Sequence, residues 1–423
     1  MTLTTRILLA MGLGLLVGIS FKMIIEGGGS FGQWLQVYMV DGVFDVVGQI
    51  FVKSLKLLVV PLVLVSLICG SGALGEQGRV GPMAGKTVGL YLLTTCIAIT
   101  FALFAAILIS PGTGMDLPTT SDYVAKEAPP FKQVLIDIFP SNPVASMSTG
   151  NMLQIIVFAL LFGISMSRAG EAGKRLLSWF EDVNEVIMKM VMMLMNFAPY
   201  GVFCLLAKLF SGLGFEGINK LAAYFFTVFG VLVLHGIVVY PTLLRVFGGL
   251  NPVTFLSKLR PLMMFAFSTS SSNASIPVTL RTAEERLGVD NRVASFTVPL
   301  GATINMDGTA VMQGVATVFI AQAYGIDIGL TGYLMVILTA TMASIGTAGV
   351  PGVGLITLAL VLEQAGLPVE GIALIIGVDR LLDMARTVVN VTGDSAVTAI
   401  VAKSEGALDK ECFDGPVKPM QDH

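Results

Sequence analysis

The chain has 423 residues, a formal net charge of −3 and only 13% charged residues, about half the charged share of a soluble globular domain. With a mean hydropathy of +0.83, most of its surface cannot face water, which excludes a soluble fold, and so small a net charge gives no reason to expect a nucleic-acid partner. The histidines, His235 and His423, and the cysteines, Cys69, Cys96, Cys204 and Cys412, show no ligand spacing, which argues against a zinc site, a disulfide framework or a His-based enzyme.

In chain order, the stretch from Met1 to Met23 carries Arg6 and then an apolar run. It is long, ends in no small-residue cleavage site and precedes many further apolar runs, so it reads as a first span rather than a signal peptide. Five more spans follow at 44–69, 86–110, 151–168, 184–210 and 221–247. Basic residues mark the cytoplasmic loops. Arg6 puts the N-terminus inside; Arg79 and Lys86 follow the second span, Arg168, Lys174 and Arg175 the fourth, and Arg245, Lys258 and Arg260 the sixth. The intervening loop with Asp116, Asp122, Lys126 and Glu127 is mixed, as expected outside.

Beyond residue 250 the pattern changes. Segments 253–287 and 330–366 are apolar but interrupted by Ser, Gly and Pro, while 293–323 and 371–402 carry Asn and Asp. Arg281, Arg286 and Arg292 keep the far end of the first interrupted segment inside. The loops flanking the second, with Asp327 on one side and Glu363 and Glu370 on the other, lack Lys and Arg and belong outside. Each interrupted segment therefore predicts a re-entrant hairpin, the two entering from opposite faces. The fold class is an all-α polytopic membrane protein with eight transmembrane helices, two re-entrant helical hairpins and inverted repeats. The tips resemble each other: 271–277 reads Ser-Ser-Asn-Ala-Ser-Ile-Pro and 345–351 reads Ile-Gly-Thr-Ala-Gly-Val-Pro. Small residues also serve close helix packing, but two such clusters in matching positions point to a secondary transporter with a midplane site.

The last span carries Asp379, Arg380, Asp383, Arg386, Thr387, Asn390 and Asp394. Positions 379, 383, 386, 390 and 394 form one helical stripe. Each such charge costs roughly 2.5–3.5 kcal/mol on insertion scales, so the stripe needs partners, ions or a polar ligand. A self-satisfied network of Asp383 with Arg386 or Arg380 is the plainer alternative. In the seventh span, Asn305, Asp307 and Thr309 converge only if the helix unwinds. An unwound turn with an Asp offers hard oxygen ligands suited to sodium; a capped kink is the alternative. The half-helix ends of the hairpins add an anion-attracting N-terminus and cation-attracting carbonyls. Arg386 offers a fork matching a carboxylate, and Asp383 one turn earlier suits an ammonium group. Together they suggest an acidic zwitterion.

These motifs resemble the dicarboxylate/amino acid:cation symporter family, which includes excitatory amino acid transporters and archaeal aspartate transporters. The resemblance covers nearly the whole chain and is strongest in 270–272, 305–309, 344–352 and 383–394. It implies that Arg386 binds a substrate side-chain carboxylate and Asp383 its amino group. Ser272 in the serine motif with Ser271, Asn390 and the tip backbone at Gly349 and Val350 are implied for the α-carboxylate, with Thr309 and Thr387 completing the pocket. One implied sodium site uses Asp394 with carbonyls of Gly301, Asn305 and Asn390. A second uses carbonyls of Thr303, Ser344, Ile345 and Thr347 beside Met306, and a third Tyr91, Thr94, Thr95, Asn305 and Asp307. No cofactor beyond these coupling ions is expected.

The resemblance further implies a homotrimer in the lipid bilayer of the plasma (inner) membrane, with both termini cytoplasmic and an elevator-type motion. The implied domains are 1–85, largely scaffold; 86–112, part of the transport domain; 113–252, mainly trimerisation scaffold; 253–404, the transport core; and 405–423, a cytoplasmic tail. Archaeal relatives carry an Arg where this chain has Ser270, and Arg380 is a candidate substitute. Relatives described as proton-coupled lack oxygen ligands matching Thr347 and Asp394, which favours sodium. The expected function is sodium-coupled import of aspartate and/or glutamate. C4-dicarboxylate, neutral amino acid and proton-coupled transport are the alternatives, and a channel or an intramembrane hydrolase fits less well. The loop at 113–145 and the tail after Lys403 carry no readable signal.

Overall fold

The computed structural model describes residues 3–73, 81–115, 136, 139–213, 215–345, 347 and 349–416. Arg79, the loop charges at 116–127, and Gly346 and Ala348 of the second tip lie outside these residues. Among the described residues nearly everything is helical, and the only β feature is an isolated antiparallel bridge between Val289 and Leu408.

Helix α1 spans Leu3–Glu26. The short α2, Ser30–Trp34, runs through a π-helical stretch, Leu35–Phe44, into α3, Asp45–Ala73. Helix α4 spans Gly81–Ile109 and α5 Pro143–Thr149, followed by α6, Met152–Arg168. Helix α7, Glu171–Met195, leads into α8, Ala198–Leu213. Helix α9, Phe215–Leu234, continues through a π turn, His235–Val239, into α10, Tyr240–Gly248.

Four helical stretches of the described residues are long and apolar enough to cross a membrane: Thr5–Glu26, Ser30–Gly72, Pro82–Ile109 and Asn219–Gly248. They match the first, second, third and sixth expected spans. The fifth differs from a single straight span. It is a pair, Glu171–Leu194 and Ala198–Gly212, bent by 47°. The bend falls at Asn196 and Phe197, just before Pro199, which has no N–H to continue the ladder but is tolerated in a first helical turn. The region expected as the fourth span is α6, a shorter apolar helix of 17 residues, about 25 Å long.

The chain beyond residue 250 forms two helix–turn–helix units and two long elements. Helices α11, Pro252–Thr269, and α12, Ser272–Arg281, make the first unit. Helices α15, Gly329–Ser344, and α16, Val353–Gln364, make the second. Between them lie α13, Asn291–Ile304, and α14, Asp307–Ala323. Helix α17, Ile372–Ser404, has 33 residues, about 50 Å, and packs against α11, α13, α14, α9 and α10. Elsewhere α1 runs along α8, and α3 packs on α6 and α7.

A short helix α18, Lys410–Asp414, follows a turn after α17. Phe413 is fully buried, with the Lys258 ammonium 5.9 Å from its ring centroid. Lys258 Nζ donates to the carbonyls of Arg286 at 2.9 Å and Cys412 at 2.5 Å. The Asp409 amide donates to the Gly288 carbonyl at 2.7 Å, and the Asp290 amide to the Ala407 carbonyl at 2.9 Å. Lys86 Nζ reaches Glu405 at 2.6 Å. Residues 405–414 thus clasp the base of the first helix–turn–helix unit to α17 and α4.

Candidate functional site

The segment 293–323 is not one helix. It breaks at Asn305 (φ −89°, ψ 88°) and Met306 (φ −113°, ψ 46°), where unwinding was expected. Breaking the helix frees polar groups deep in the protein, and three of them are answered from another element. The Met306 amide donates to Ser344 Oγ at 3.1 Å, and that hydroxyl donates to the Ile304 carbonyl at 2.6 Å. The Gly308 amide donates to Asn390 Oδ1 at 2.8 Å. Asn390 Nδ2 lies 3.3 Å from Met306 Sδ. A methyl group on Gly308 would run into the Arg386 backbone, so only glycine lets α14 start against α17.

Asn305 Nδ2 donates to the Asn390 carbonyl at 3.1 Å and to Asp394 Oδ1 at 2.9 Å. Its Oδ1 is buried with no hydrogen-bond partner. Gly301 sits against the Asp394 carboxylate and the Tyr91 hydroxyl, and its carbonyl accepts from the Asn305 amide at 2.8 Å. Gly301, Asn305, Asn390 and Asp394, predicted together from the sequence, are therefore brought together. All are fully or nearly fully buried. An orphaned amide oxygen beside a buried carboxylate fits a hard monovalent cation.

A second cluster surrounds Asp307. Thr95 Oγ1 donates to its Oδ1 at 2.6 Å, Tyr240 OH donates to its Oδ2 at 2.8 Å, and His235 Nε2 lies 3.3 Å from Oδ2. The Thr94 hydroxyl donates to the Tyr91 carbonyl at 2.9 Å, and Thr95 Oγ1 lies at the same distance from that carbonyl. Of the predicted group of Tyr91, Thr94, Thr95, Asn305 and Asp307, Thr95 and Asp307 meet between α4 and the break, the Thr94 hydroxyl stays within α4, the Tyr91 hydroxyl donates to the Thr297 carbonyl at 3.0 Å, and Asn305 turns to Asp394. His235 and Tyr240 were missed. His235 opens the π turn and Tyr240 follows it directly; such a turn is a distortion frequent at functional sites. The signal available was a lone histidine inside an apolar run, and nothing in its spacing indicated Asp307 as its neighbour.

Of the remaining predicted cation ligands, Ser344 bonds at the break as described. Ile345 and Thr347 follow it, with the Thr347 hydroxyl donating to the Ala343 carbonyl at 2.8 Å. The Thr303 hydroxyl donates to the Leu300 carbonyl at 2.9 Å within its own helix. Among the described residues no group of three or more His, Cys, Asp or Glu is placed to hold a metal. The oxygen-rich clusters around Asp307 and Asp394 are thus built mainly from neutral groups.

The stripe on α17 carries its own ion network. Arg386 is 1% exposed; its Nη1 donates to Asp379 Oδ1 at 2.6 Å and its Nη2 to Asp383 Oδ1 at 2.7 Å. Arg380 Nη1 donates to Asp383 Oδ2 at 3.3 Å, as does the Gly352 amide of the second turn, also at 3.3 Å. Two Asp and two Arg side chains leave the group neutral, which lowers the penalty of holding Arg386 away from water. The network expected as the plainer alternative is therefore present, and it includes Asp379, which the sequence placed in the stripe but not in the pocket. It stops at Arg386: Asn390 and Asp394 turn to Asn305 and Gly308 instead.

The two turns meet over this region. Ser271 Oγ donates to the Gly349 carbonyl at 2.7 Å, and the Asn273 amide donates to the same carbonyl at 3.0 Å. Ser271 Oγ also caps α12, accepting from the Ala274 amide at 3.1 Å. Ser270, in the left-handed region at φ 51°, ends α11. Gly349 lies against Ser272, Asn273 and the Ala302 carbonyl, while Gly354 faces Thr309 and Arg386 Nη2. Thr387 Oγ1 donates to the Asp383 carbonyl at 2.9 Å. Thr309 is buried like Thr387, Ser271 and Ser272, and Val350 is partly buried beside Gly349. A chamber of about 180 Å³ adjoins Asp379, Arg380 and Asp383, walled by Pro351 and Gly352 on one side and by Ile7, Phe51, Met192, Ala198 and Val202 on the other.

Sequence comparison bears on this arrangement. A proton/sodium-glutamate symport protein of Geobacillus stearothermophilus is 34% identical over 410 residues, covering 94% of each chain. A proton/glutamate-aspartate symporter of Escherichia coli is 32% identical over 422 residues, covering 97% of this chain and 94% of its own. Human excitatory amino acid transporter 3 is 35% identical over 410 residues, covering 84% of this chain and 78% of its own. The family model described as the sodium:dicarboxylate symporter family matches residues 3–404, and with its broken helix, buried arginine and meeting turns inside that match, the chain belongs to this family.

Proposed function

We propose that the protein is a secondary active symporter that imports acidic amino acids, aspartate and/or glutamate, together with sodium. The observation that carries this reading is Arg386, nearly inaccessible yet bonded to two carboxylates, in a pocket where two turns meet. A substrate carboxylate takes the place of one of these partners on the guanidinium fork. Asp383 receives the amino group, and Ser271, Ser272, Gly349, Val350, Thr309, Thr387 and Asn390 complete the site. The names of the relatives, which specify glutamate and aspartate, support the same substrate class.

Sodium is favoured over protons by the buried oxygen clusters at Asp394 and Asp307 and by the unpartnered Asn305 Oδ1. Coupling to protons is the second reading, favoured by the name of the Escherichia coli relative. In the proposed architecture eight helices span the inner membrane, the two helix–turn–helix units enter from opposite faces as inverted repeats, and both termini are cytoplasmic. Residues 86–112 and 253–404 move as one body against a scaffold drawn mainly from 1–85 and 113–252, within a homotrimer. Transport is the activity, and no enzymatic step is part of it.

Purified protein in liposomes tests the reading. Labelled aspartate and glutamate should accumulate under an inward sodium gradient and not under a proton gradient alone. Accumulation driven only by the proton gradient overturns sodium coupling, and failure to take up either amino acid under any gradient overturns the substrate class.

A further inference from the structure

Asp383 has no unengaged oxygen. Its Oδ1 accepts from Arg386 Nη2 at 2.7 Å, and its Oδ2 accepts from Arg380 Nη1 and the Gly352 amide, both at 3.3 Å. Oδ2 already holds two donors, so an ammonium group arriving at that oxygen must displace one of them. Arg386 is held by two short bonds and is 1% exposed. The Gly352 amide is part of the turn's backbone. Arg380 makes the longer contact, its side chain is 13% exposed, and it lines the 180 Å³ chamber beside the site. It is the donor with space to withdraw into.

We propose that Arg380 is a specificity-determining residue that occupies the substrate's amino-group position on Asp383 in the empty site and withdraws into the adjoining chamber when an amino acid binds. This rests on the reading of Asp383 as the amino-group acceptor. The consequence concerns substrate class. An acidic amino acid brings its own cation to Asp383 and exchanges with Arg380. A four-carbon dicarboxylate has none, so Arg380 stays and keeps Asp383 neutralised; without it, that carboxylate would be left under-compensated in a buried pocket. Arg380 thus weakens amino acid binding by competition and supports dicarboxylate binding, which narrows the discrimination between the two.

The test uses the purified full-length protein with labelled L-aspartate and unlabelled succinate as competitor, in saturating sodium. Arg380→Met keeps the side-chain bulk and removes the charge; Arg380→Lys keeps the charge. Wild type should bind L-aspartate and release it to excess succinate. Arg380→Met should bind L-aspartate about tenfold more tightly and succinate about tenfold more weakly, the size of one charge-assisted hydrogen bond. Arg380→Lys should keep the aspartate-to-succinate ratio within about threefold of wild type, since one charge replaces another. A merely structural role would move both ligands in the same direction. Equal shifts for both, an unchanged ratio in Arg380→Met, or succinate that never competes overturns the proposal. If Arg380→Met does not fold, Arg380→Gln is read by the same ratio. Wild-type protein that binds neither L-aspartate nor L-glutamate overturns the functional reading itself, and the role of Arg380 with it.

Discussion

Replacing Gly301 by alanine should separate fold stability from cation affinity. The new methyl group would overlap the Asp394 carboxylate and the Tyr91 hydroxyl. Overpacking of a tight interior costs about 1–3 kcal/mol. Alanine returns about 1 kcal/mol as the better helix former, so the net loss of stability is about 0–2 kcal/mol. The atoms in the way are side-chain ends, so relief comes from turning Asp394 away from Asn305 Nδ2, now 2.9 Å distant. The cation site gains nothing from helix propensity and bears the whole penalty, which corresponds to about a 5- to 160-fold weaker sodium affinity. Sodium titration of L-aspartate binding to purified protein, with thermal unfolding measured in parallel, reads both quantities. A sodium half-saturation within twofold of wild type would refute the placement of a cation beside Asp394.

Further outcomes are expected at the other clusters. Arg386→Ala leaves Asp379 and Asp383 buried without their main partner, a loss of about 3–5 kcal/mol, and abolishes uptake of acidic amino acids; folded mutant protein importing aspartate at the wild-type rate contradicts this. Asp394→Asn should raise the sodium half-saturation of uptake more than it lowers the maximal rate, and the reverse pattern in proteoliposome kinetics argues against an ion ligand. Choline in place of sodium should stop uptake, and sodium alone should restore it. Phe413→Ala removes a fully buried ring and should cost about 3–5 kcal/mol. It should appear as a lower unfolding temperature with unchanged aspartate affinity in the surviving folded fraction.

The parts legible in the sequence were those marked by residues out of place in lipid. Asn305 and Asp307 announced a broken helix because their side chains cannot share a face of an intact one, and the break lies at 305–306. The stripe from Asp379 to Asp394 was visible because charges in an apolar helix demand partners. What stayed hidden was partner choice. Asp383 and Asp379 precede Arg386 by one and two turns, and spacing alone does not say which carboxylate takes which nitrogen. His235 and Tyr240 reach Asp307 only through a π turn, which hydrophobic periodicity does not reveal. The bend at Asn196 was missed because apolar residues continue across it. The segment after Lys403 looked uninformative because its bonds run largely through backbone carbonyls and amides, which any sequence supplies.

The clasp of residues 405–414 also bears on the order of biosynthesis. Chains emerge from the ribosome N-terminus first, and earlier parts fold before later ones arrive. Here Lys258 and Arg286 bond each other, but the Cys412 carbonyl and Phe413 ring at Lys258, the Asp409 amide at Gly288 and the Ala407 carbonyl at Asp290 come from residues synthesised after every membrane-crossing segment. The base of the first helix–turn–helix unit is therefore completed only once translation has passed Phe413. A reporter protein fused directly after Ser404 would hold the core at that stage, whereas one joined beyond Asp414 leaves the closing step intact.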